Sequence, residues 1–325
     1  MVTLFLAAVL LAQIDVKPLR ETAREPYQTD DPAIWVNPKN TAESLIFGTV
    51  KMAAPLGAIA VYRLDGSRLM RIANVDRPNN IDVAYGLKLG SRQIDIAVAT
   101  ERNQRRLRVF EIVPGVGLKD LAALPVFVGE KGRAAEPMGI ALYRRRRDGA
   151  LFAIVSRKSG PRSGYLWQYR LLDNGAGRLK AVKVRAFGLY SGSKEIEAIA
   201  IDAEREHVYY SDEGAGIRKY QADPDHPAAA RELAIFGQSG WRGDREGLAI
   251  HRGHIIATDQ QHPNTDFHVF SRDTLREEGV FRIGADTTDG IDIASFGLFV
   301  AMNDSRHNFI LAEWKSIAAA LRLRP

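Results

Sequence analysis

One pattern recurs six times along the chain and limits what it can fold into. An acidic or amide residue leads a short apolar stretch in Asp31-Pro-Ala-Ile-Trp, Asn80-Ile-Asp-Val-Ala-Tyr, Glu136-Pro-Met-Gly-Ile-Ala-Leu, Glu197-Ala-Ile-Ala-Ile, Glu246-Gly-Leu-Ala-Ile and Asp289-Gly-Ile-Asp-Ile, and the leading residues are 49, 56, 61, 49 and 43 positions apart. A second signature, an alternating strand ending in an aromatic, closes on Tyr62, Phe110, Tyr169, Tyr220 and Phe270, at intervals of 48, 59, 51 and 50. Between them lie the strand-like runs 44–50, 94–100, 151–156, 207–211 and 254–259, rich in alternating and β-branched residues. Helix signals are few, the best being the C-terminal stretch 312–322. A period of about 50 residues holding several strands is that of a four-stranded propeller blade. Six periods predict an all-β, six-bladed β-propeller with four-stranded antiparallel blades, and a β-sandwich or large barrel is the runner-up. The repeats run without a linker, so residues 13–325 read as a single domain.

In a propeller the first strand of each blade lines the axis, so the leading residues form a ring around one mouth of the channel. Five of them are carboxylates: Asp31, Glu136, Glu197, Glu246 and Asp289. Convergent carboxylates repel unless protons or cations neutralise them, and an all-oxygen ring suits calcium, which accepts six to eight oxygens. The competing reading of any one acid is a turn cap. The chain has no cysteine, so disulfides, thiolate metal sites and a cysteinyl-phosphate intermediate are excluded. Its seven histidines include no Arg-His-Gly string, which leaves a metal route for any phosphate chemistry. Lys and Arg number 45 against 39 Asp and Glu, an excess that favours anionic partners without choosing among them. The basic residues are dispersed and not interleaved with aromatics, so no nucleic-acid partner is expected. Internal apolar runs are too short to span a bilayer. Residues 1–12, MVTLFLAAVLLA, have the length of a signal-peptide h-region but lack the basic n-region, and they predict export. A buried N-terminal strand is the alternative.

Thr29-Asp-Asp-Pro-Ala-Ile-Trp-Val-Asn-Pro-Lys, Asn79-Asn-Ile-Asp-Val, Asp244-Arg-Glu-Gly-Leu and Asp289-Gly-Ile-Asp, in that order, resemble the motifs of β-propeller phytases from about Tyr27 to Trp314. The resemblance implies a monomeric, calcium-dependent phosphomonoester hydrolase that releases phosphate from inositol polyphosphates such as phytate. It implies several calcium ions held by Asp30, Asp31, Glu197, Asp212, Glu213, Asp244, Glu246, Asp289 and Asp292. Phosphate contacts fall on Lys51, Arg102 and Lys158, with Arg157 as a helper, and the catalytic set is Glu197, Asp244, Glu246, Lys51 and Arg102. Asp244-x-Glu246 sets two carboxylates on one side of an extended segment, able to hold or bridge ions. Two departures bear on activity. A lysine pair common in the family reads Val50-Lys51 here, and Met138 stands where a tyrosine is frequent. They support the alternatives, a non-catalytic propeller that binds an anion or a protein at the mouth. A propeller lactonase or esterase with one axial calcium fits less well, because the acidic pairs are doubled and faced by cations.

Overall fold

The computed structural model describes residues 13–323, so the stretch 1–12 read as a signal peptide lies outside the described residues. Two short strands come first, β1 (Gln13–Asp15) and β2 (Arg20–Glu21). Blade 1 is β3 (Thr29–Trp35), β4 (Leu45–Val50), β5 (Ala58–Arg63) and β6 (Arg68–Ala73). Blade 2 is β7 (Pro78–Leu89), β8 (Arg92–Glu101), β9 (Arg106–Val113) and β10 (Gly117–Pro125). Blade 3 is β11 (Pro137–Arg144), β12 (Leu151–Arg157), β13 (Ser163–Asp173) and β14 (Leu179–Leu189). Blade 4 is β15 (Ile199–Asp202), β16 (His207–Asp212), β17 (Gly216–Gln221) and β18 (Ala234–Phe236). Blade 5 is β19 (Asp244–His251), β20 (His254–Gln260), β21 (Asp266–Ser271) and β22 (Glu277–Arg282). Blade 6 takes β23 (Ile291–Ile293), β24 (Leu298–Asn303) and β25 (Asn308–Glu313) from the end of the chain.

The outer strand of blade 6 is β2, which pairs antiparallel with β25 through Arg20↔Leu311 and Glu21↔Ile310. Both ends of the chain therefore share one sheet, and the ring of blades is closed by hydrogen bonds. Strand β1 runs parallel to β22 and makes blade 5 five-stranded. The six-bladed antiparallel architecture is the predicted one. The helix is shorter than its sequence signal, α1 (Trp314–Leu321), because β25 continues to Glu313.

Both faces of each blade are covered by neighbouring blades, so inner and middle strands carry continuous apolar runs such as Phe152-Ala-Ile-Val155. The core is divided into six buried clusters, one at each blade–blade junction. At the junction of blades 5 and 6, Phe299 meets Phe267 and Phe281 edge-on at 5.3 and 5.6 Å. Trp314, Ile317 and Ala318 of α1 cap that cluster.

A repeated irregularity sets up the channel mouth. On β3, β7, β11 and β19 two residues face one on the next strand: Asp30 and Asp31 face Thr49, Asn79 and Asn80 face Thr100, Met138 and Gly139 face Ser156, and Glu246 and Gly247 face Thr258. Each is a β-bulge, which bends the strand and re-aims a side chain. The opposing hydroxyl holds the extra residue: Asp31 N donates to Thr49 Oγ1 at 2.9 Å, Asn80 N to Thr100 Oγ1 at 3.1 Å and Gly139 N to Ser156 Oγ at 2.8 Å. Thr49 and Thr100 in turn donate to the carbonyls of Asn79 and Met138 in the following blade. Where the second bulge residue is Gly139, a Cβ would lie 1.7 Å from the Glu197 carbonyl of blade 4, which is why no side chain fits there.

Candidate active site

The first residue of each bulge faces the mouth, as does the matching residue in blades 4 and 6, where Ser211 N donates to Ala198 O and Met302 N to Gly290 O. By strand register these are Asp30, Asn79, Met138, Glu197, Glu246 and Asp289. The ring therefore differs from the one read in the sequence. In blades 1 and 2 the equivalent residue is one earlier than Asp31 and Asn80, and in blade 3 it is Met138, two after Glu136. Glu136 instead ends a 3-10 turn ahead of β11.

The mouth residues converge. Lys51 Nζ donates to Asp30 Oδ1 at 2.6 Å and lies 3.4 Å from Glu197 Oε1 and 3.8 Å from Asp289 Oδ2, so one ammonium reaches acids from blades 1, 4 and 6. Burial pulls the Lys51 pKa down, but the charges of Asp30, Glu197 and Asp289 outweigh it and hold the pKa well above its ordinary value. Beside them Glu213, Asp244 and Glu246 each aim an oxygen at one spot, with all three oxygens within 4.8 Å of one another. Burial, with Glu197 and Glu213 close by, drives the Glu246 carboxyl well above its ordinary pKa. Burial and Glu197 lift Glu213 to about 7. Glu197 and Asp289 are raised by burial as well. These acids resist ionisation unless positive charge joins them.

Arg102 donates to Asn79 Oδ1, and Asn79 Nδ2 donates to Glu197 Oε1. Asn79 thus couples the guanidinium to the acid ring. In the sequence pattern its neighbour Asn80 holds the ring position; the strand pairing gives that position to Asn79. Four polar atoms here are buried without a hydrogen-bond partner among the described residues: Asp30 Oδ2, Glu213 Oε1, Glu246 Oε2 and Arg102 Nε. Three acceptor oxygens and one N–H left unpaired side by side are what a bound cation and a bound anion would satisfy.

The remaining expected residues lie elsewhere. Asp31 and Asp292 line the central channel below the mouth with Asp82, in a cavity of about 320 Å³. Each of the three accepts a backbone N–H from the following blade: Asp31 from Ile81 at 2.9 Å, Asp82 from Leu142 at 2.6 Å and Asp292 from Ile34 at 2.7 Å. Burial raises all three, Asp82 to about 7 and Asp292 to about 6. Asp212 is not with the mouth acids. Its oxygens accept from Ser191 N at 2.7 Å, Ser191 Oγ at 2.6 Å and Arg218 Nε at 2.9 Å. Arg157 is 1% exposed, donates to Tyr165 O and Gly164 O, and lies over the rings of Phe127 and Trp167 at 4.6 and 4.9 Å. It braces blade 3, with its Nη1 3.3 Å from Glu130 Oε1. Lys158 reaches the rim but is paired with Glu195, which also lies 3.5 Å from Arg133 Nη2.

The positions of these side chains follow from one rule. Two residues after each bulge-facing hydroxyl comes Lys51, Arg102, Lys158 and, in blade 5, Gln260; the same offset from Ser211 gives Glu213 in blade 4. At these positions the mouth is cationic over blades 1 to 3, acidic in blade 4 and neutral in blade 5, whose acids are Asp244 and Glu246.

Comparison with known proteins bears on the fold and the family. A luciferin-regenerating enzyme of known structure superposes with a TM-score of 0.56 at 12% identity, covering 91% of this chain and 93% of its own, which is a likeness of fold. The 3-phytase of Bacillus subtilis (strain 168) is 29% identical over 328 aligned residues, covering 91% of this chain and 82% of that protein. The sequence profile of the phytase family matches residues 8–320, the whole propeller, and the chain belongs to the phytase family of enzymes.

Proposed function

We propose that this enzyme hydrolyses phosphate monoesters of inositol hexakisphosphate and its products with calcium bound at the channel mouth. The observation that carries the reading is the convergence of Glu213, Asp244 and Glu246 with unpaired buried oxygens, next to Lys51 and Arg102. Oxygen-only donors in a bulge-shaped mouth fit a large hard cation with flexible coordination. When bound, such cations neutralise the ester and make an attacking water more acidic. The protein's own contribution is to hold the acids together. Glu213, Asp244 and Glu246 come from the ends of strands in adjacent blades 4 and 5, whose register is fixed by backbone pairing. Asp30, Glu197 and Asp289 extend the oxygen surface across the axis.

On the cationic side, Arg102 presents an unpaired Nε–H and is kept in orientation by Asn79. Its planar fork suits two oxygens of one phosphate. Lys51 is shared among three acids, and its ammonium would be released toward phosphate where those carboxylates held cations instead. Met138 is fully buried at the third ring position and offers no polar group there. The same reading includes export through residues 1–12 and a monomeric enzyme. Phosphate release from phytate is the test, measured after exhaustive chelation and again with calcium restored. Release that survives chelation undiminished would sink the cation assignment, and no release under any condition would favour a binding propeller.

A further inference from the structure

The connection from β14 to β15 carries a cation that the sequence did not single out. Lys194 is half-exposed, and its Nζ is paired with Asp244, one of the three acids that share the candidate cation site. Its backbone is in the left-handed region, with φ 58°. A non-glycine residue there carries a conformational cost and persists where its surroundings fix it. Those surroundings are on hand. The Tyr190 hydroxyl donates to Lys194 O, and Arg162 donates to Ser191 O. Ser191 is anchored on the fully buried Asp212 through both its N and its Oγ. Gly192 lies so close to Arg162 that a Cβ would come within 2.7 Å of the guanidinium carbon. The loop is thus held at its base, and the half-exposed four-carbon stem of Lys194 extends from it to Asp244. Lys194 and Lys158 are also close enough to Glu213 to oppose the rise in its pKa.

We propose that Lys194 is a phosphate-binding side chain of the hydrolytic reaction that competes with the divalent cation for Asp244. The inference rests on the reading above that Glu213, Asp244 and Glu246 hold calcium. In the cation-free protein the ammonium neutralises Asp244. When a cation takes that carboxylate, Lys194 loses its partner and is left at the acidic end of the mouth, on the opposite side from Arg102. There it meets the anionic substrate held against the cations. One side chain therefore weakens cation binding and strengthens anion binding, and a residue with only a structural role would shift both in the same direction.

The test uses the full chain and Lys194→Gln, which keeps length and removes charge, with Lys194→Arg as the restoring variant. Calcium affinity is read by titration calorimetry. Anion affinity is read on the calcium-loaded protein with myo-inositol hexasulfate, a non-hydrolysed polyanion, alongside KM for phytate. Loss of a half-exposed ion pair predicts calcium binding tighter by about threefold in Lys194→Gln. Loss of a charge-assisted phosphate contact predicts hexasulfate binding weaker by about five- to tenfold, with KM rising in parallel. Lys194→Arg should return both values toward wild type. Weaker calcium binding in Lys194→Gln, or unchanged hexasulfate binding, overturns the proposal while the calcium reading stands. Wild-type protein that binds no calcium overturns both.

Discussion

Replacing Glu246 by Gln should make the cation-free protein more stable and shrink the stabilisation that calcium adds. Glu246 shares a site with Glu213 and Asp244 in which the three facing oxygens lie within 4.8 Å. Two unit charges at that spacing repel by about 3 kcal/mol at an effective dielectric constant of ~20. The protein avoids part of this by keeping protons: the Glu246 carboxyl is held well above its ordinary pKa by burial and by Glu197 and Glu213, and Glu213 is raised to about 7. The sign follows directly. An acid whose pKa is raised on folding contributes its full stability below the unfolded value and loses it as pH climbs through the folded value. Wild type should therefore weaken from about pH 5 to pH 8 in chelator. Glutamine resembles the protonated acid, leaves Glu213 and Glu197 with one less negative neighbour, and should spare about 1–3 kcal/mol at pH 8. That corresponds to a rise in Tm of about 1.5–4.5 °C for a chain of this size, shrinking toward zero near pH 4. With calcium at a hundredfold excess over its Kd, wild type gains about 2.7 kcal/mol, and a variant binding tenfold more weakly gains about 1.4 kcal/mol. Differential scanning calorimetry at pH 5, 6.5 and 8, with chelator and with calcium, measures both effects. A variant that melts below wild type in chelator at every pH, with the same increment from calcium, would refute the reasoning.

Three further outcomes follow from the same contacts. Arg157→Ala removes a buried guanidinium packed on Phe127 and Trp167 and two bonds to backbone carbonyls, so urea unfolding should show a loss of about 2–4 kcal/mol, with KM unchanged in the folded fraction. Arg102→Ala should raise KM for phytate by about tenfold and leave calcium affinity within a factor of about two, because Asn79 and not a cation-site acid is its partner; a calcium affinity that falls with KM would contradict it. His268 is pulled down by burial, yet its bonds to Asp259 and Glu277 lift its pKa to about 9. Its contribution is full below about pH 6.5 and is lost as pH rises through 9, so unfolding free energies compared between wild type and His268→Phe should converge by about 3 kcal/mol between pH 6 and pH 10.

The fold was legible because blades repeat their chemistry. A blade buries both faces, so its strands keep apolar runs of similar length, and the turns between them keep their polar residues. The aromatic signature appeared five times and not six, because the sixth equivalent strand, β25, runs straight into α1 and ends in Glu313. Ring closure was not legible. Arg20-Glu21 is a two-residue strand with no periodicity to detect, and it pairs with residues about 290 positions away. Which acids share the mouth was partly legible, from motif strings that carry Asp30, Glu197, Glu213, Asp244, Glu246 and Asp289. Asp212 and Arg157 turn away from the mouth acids because adjacent residues on a strand point to opposite faces, and a string alone does not say which of Asp212-Glu213 or Arg157-Lys158 faces the axis.

The offset between Asp31 and Asp30 shows what a repeat conceals. A reader aligning Asp31-Pro-Ala-Ile with Glu246-Gly-Leu-Ala matches residues by the leading acid, although the apolar run begins one residue later in the second string. The bulge decides the matter differently. Opposite Thr49 the extra residue pair is Asp30-Asp31, and opposite Thr258 it is Glu246-Gly247, so Asp30 corresponds to Glu246 and Asp31 to a glycine. The usual residue at the second position is small for a steric reason: a Cβ on Gly247 would lie 2.8 Å from the Asp289 carbonyl of the next blade. At Asp31 the side chain fits by turning down the channel and accepting Ile81 N, which converts a crowded junction into a hydrogen-bonded one. The same opposition of bulge and hydroxyl marks the side chain two residues further on, at Lys51, Arg102, Lys158 and Glu213. Thr49, Thr100, Ser156, Ser211 and Thr258 are therefore the feature that numbers the mouth, and they recur at 51, 56, 55 and 47 residues. They are visible in the sequence, but only backbone pairing reveals that a hydroxyl, and not the acid beside it, is the fixed point of the repeat.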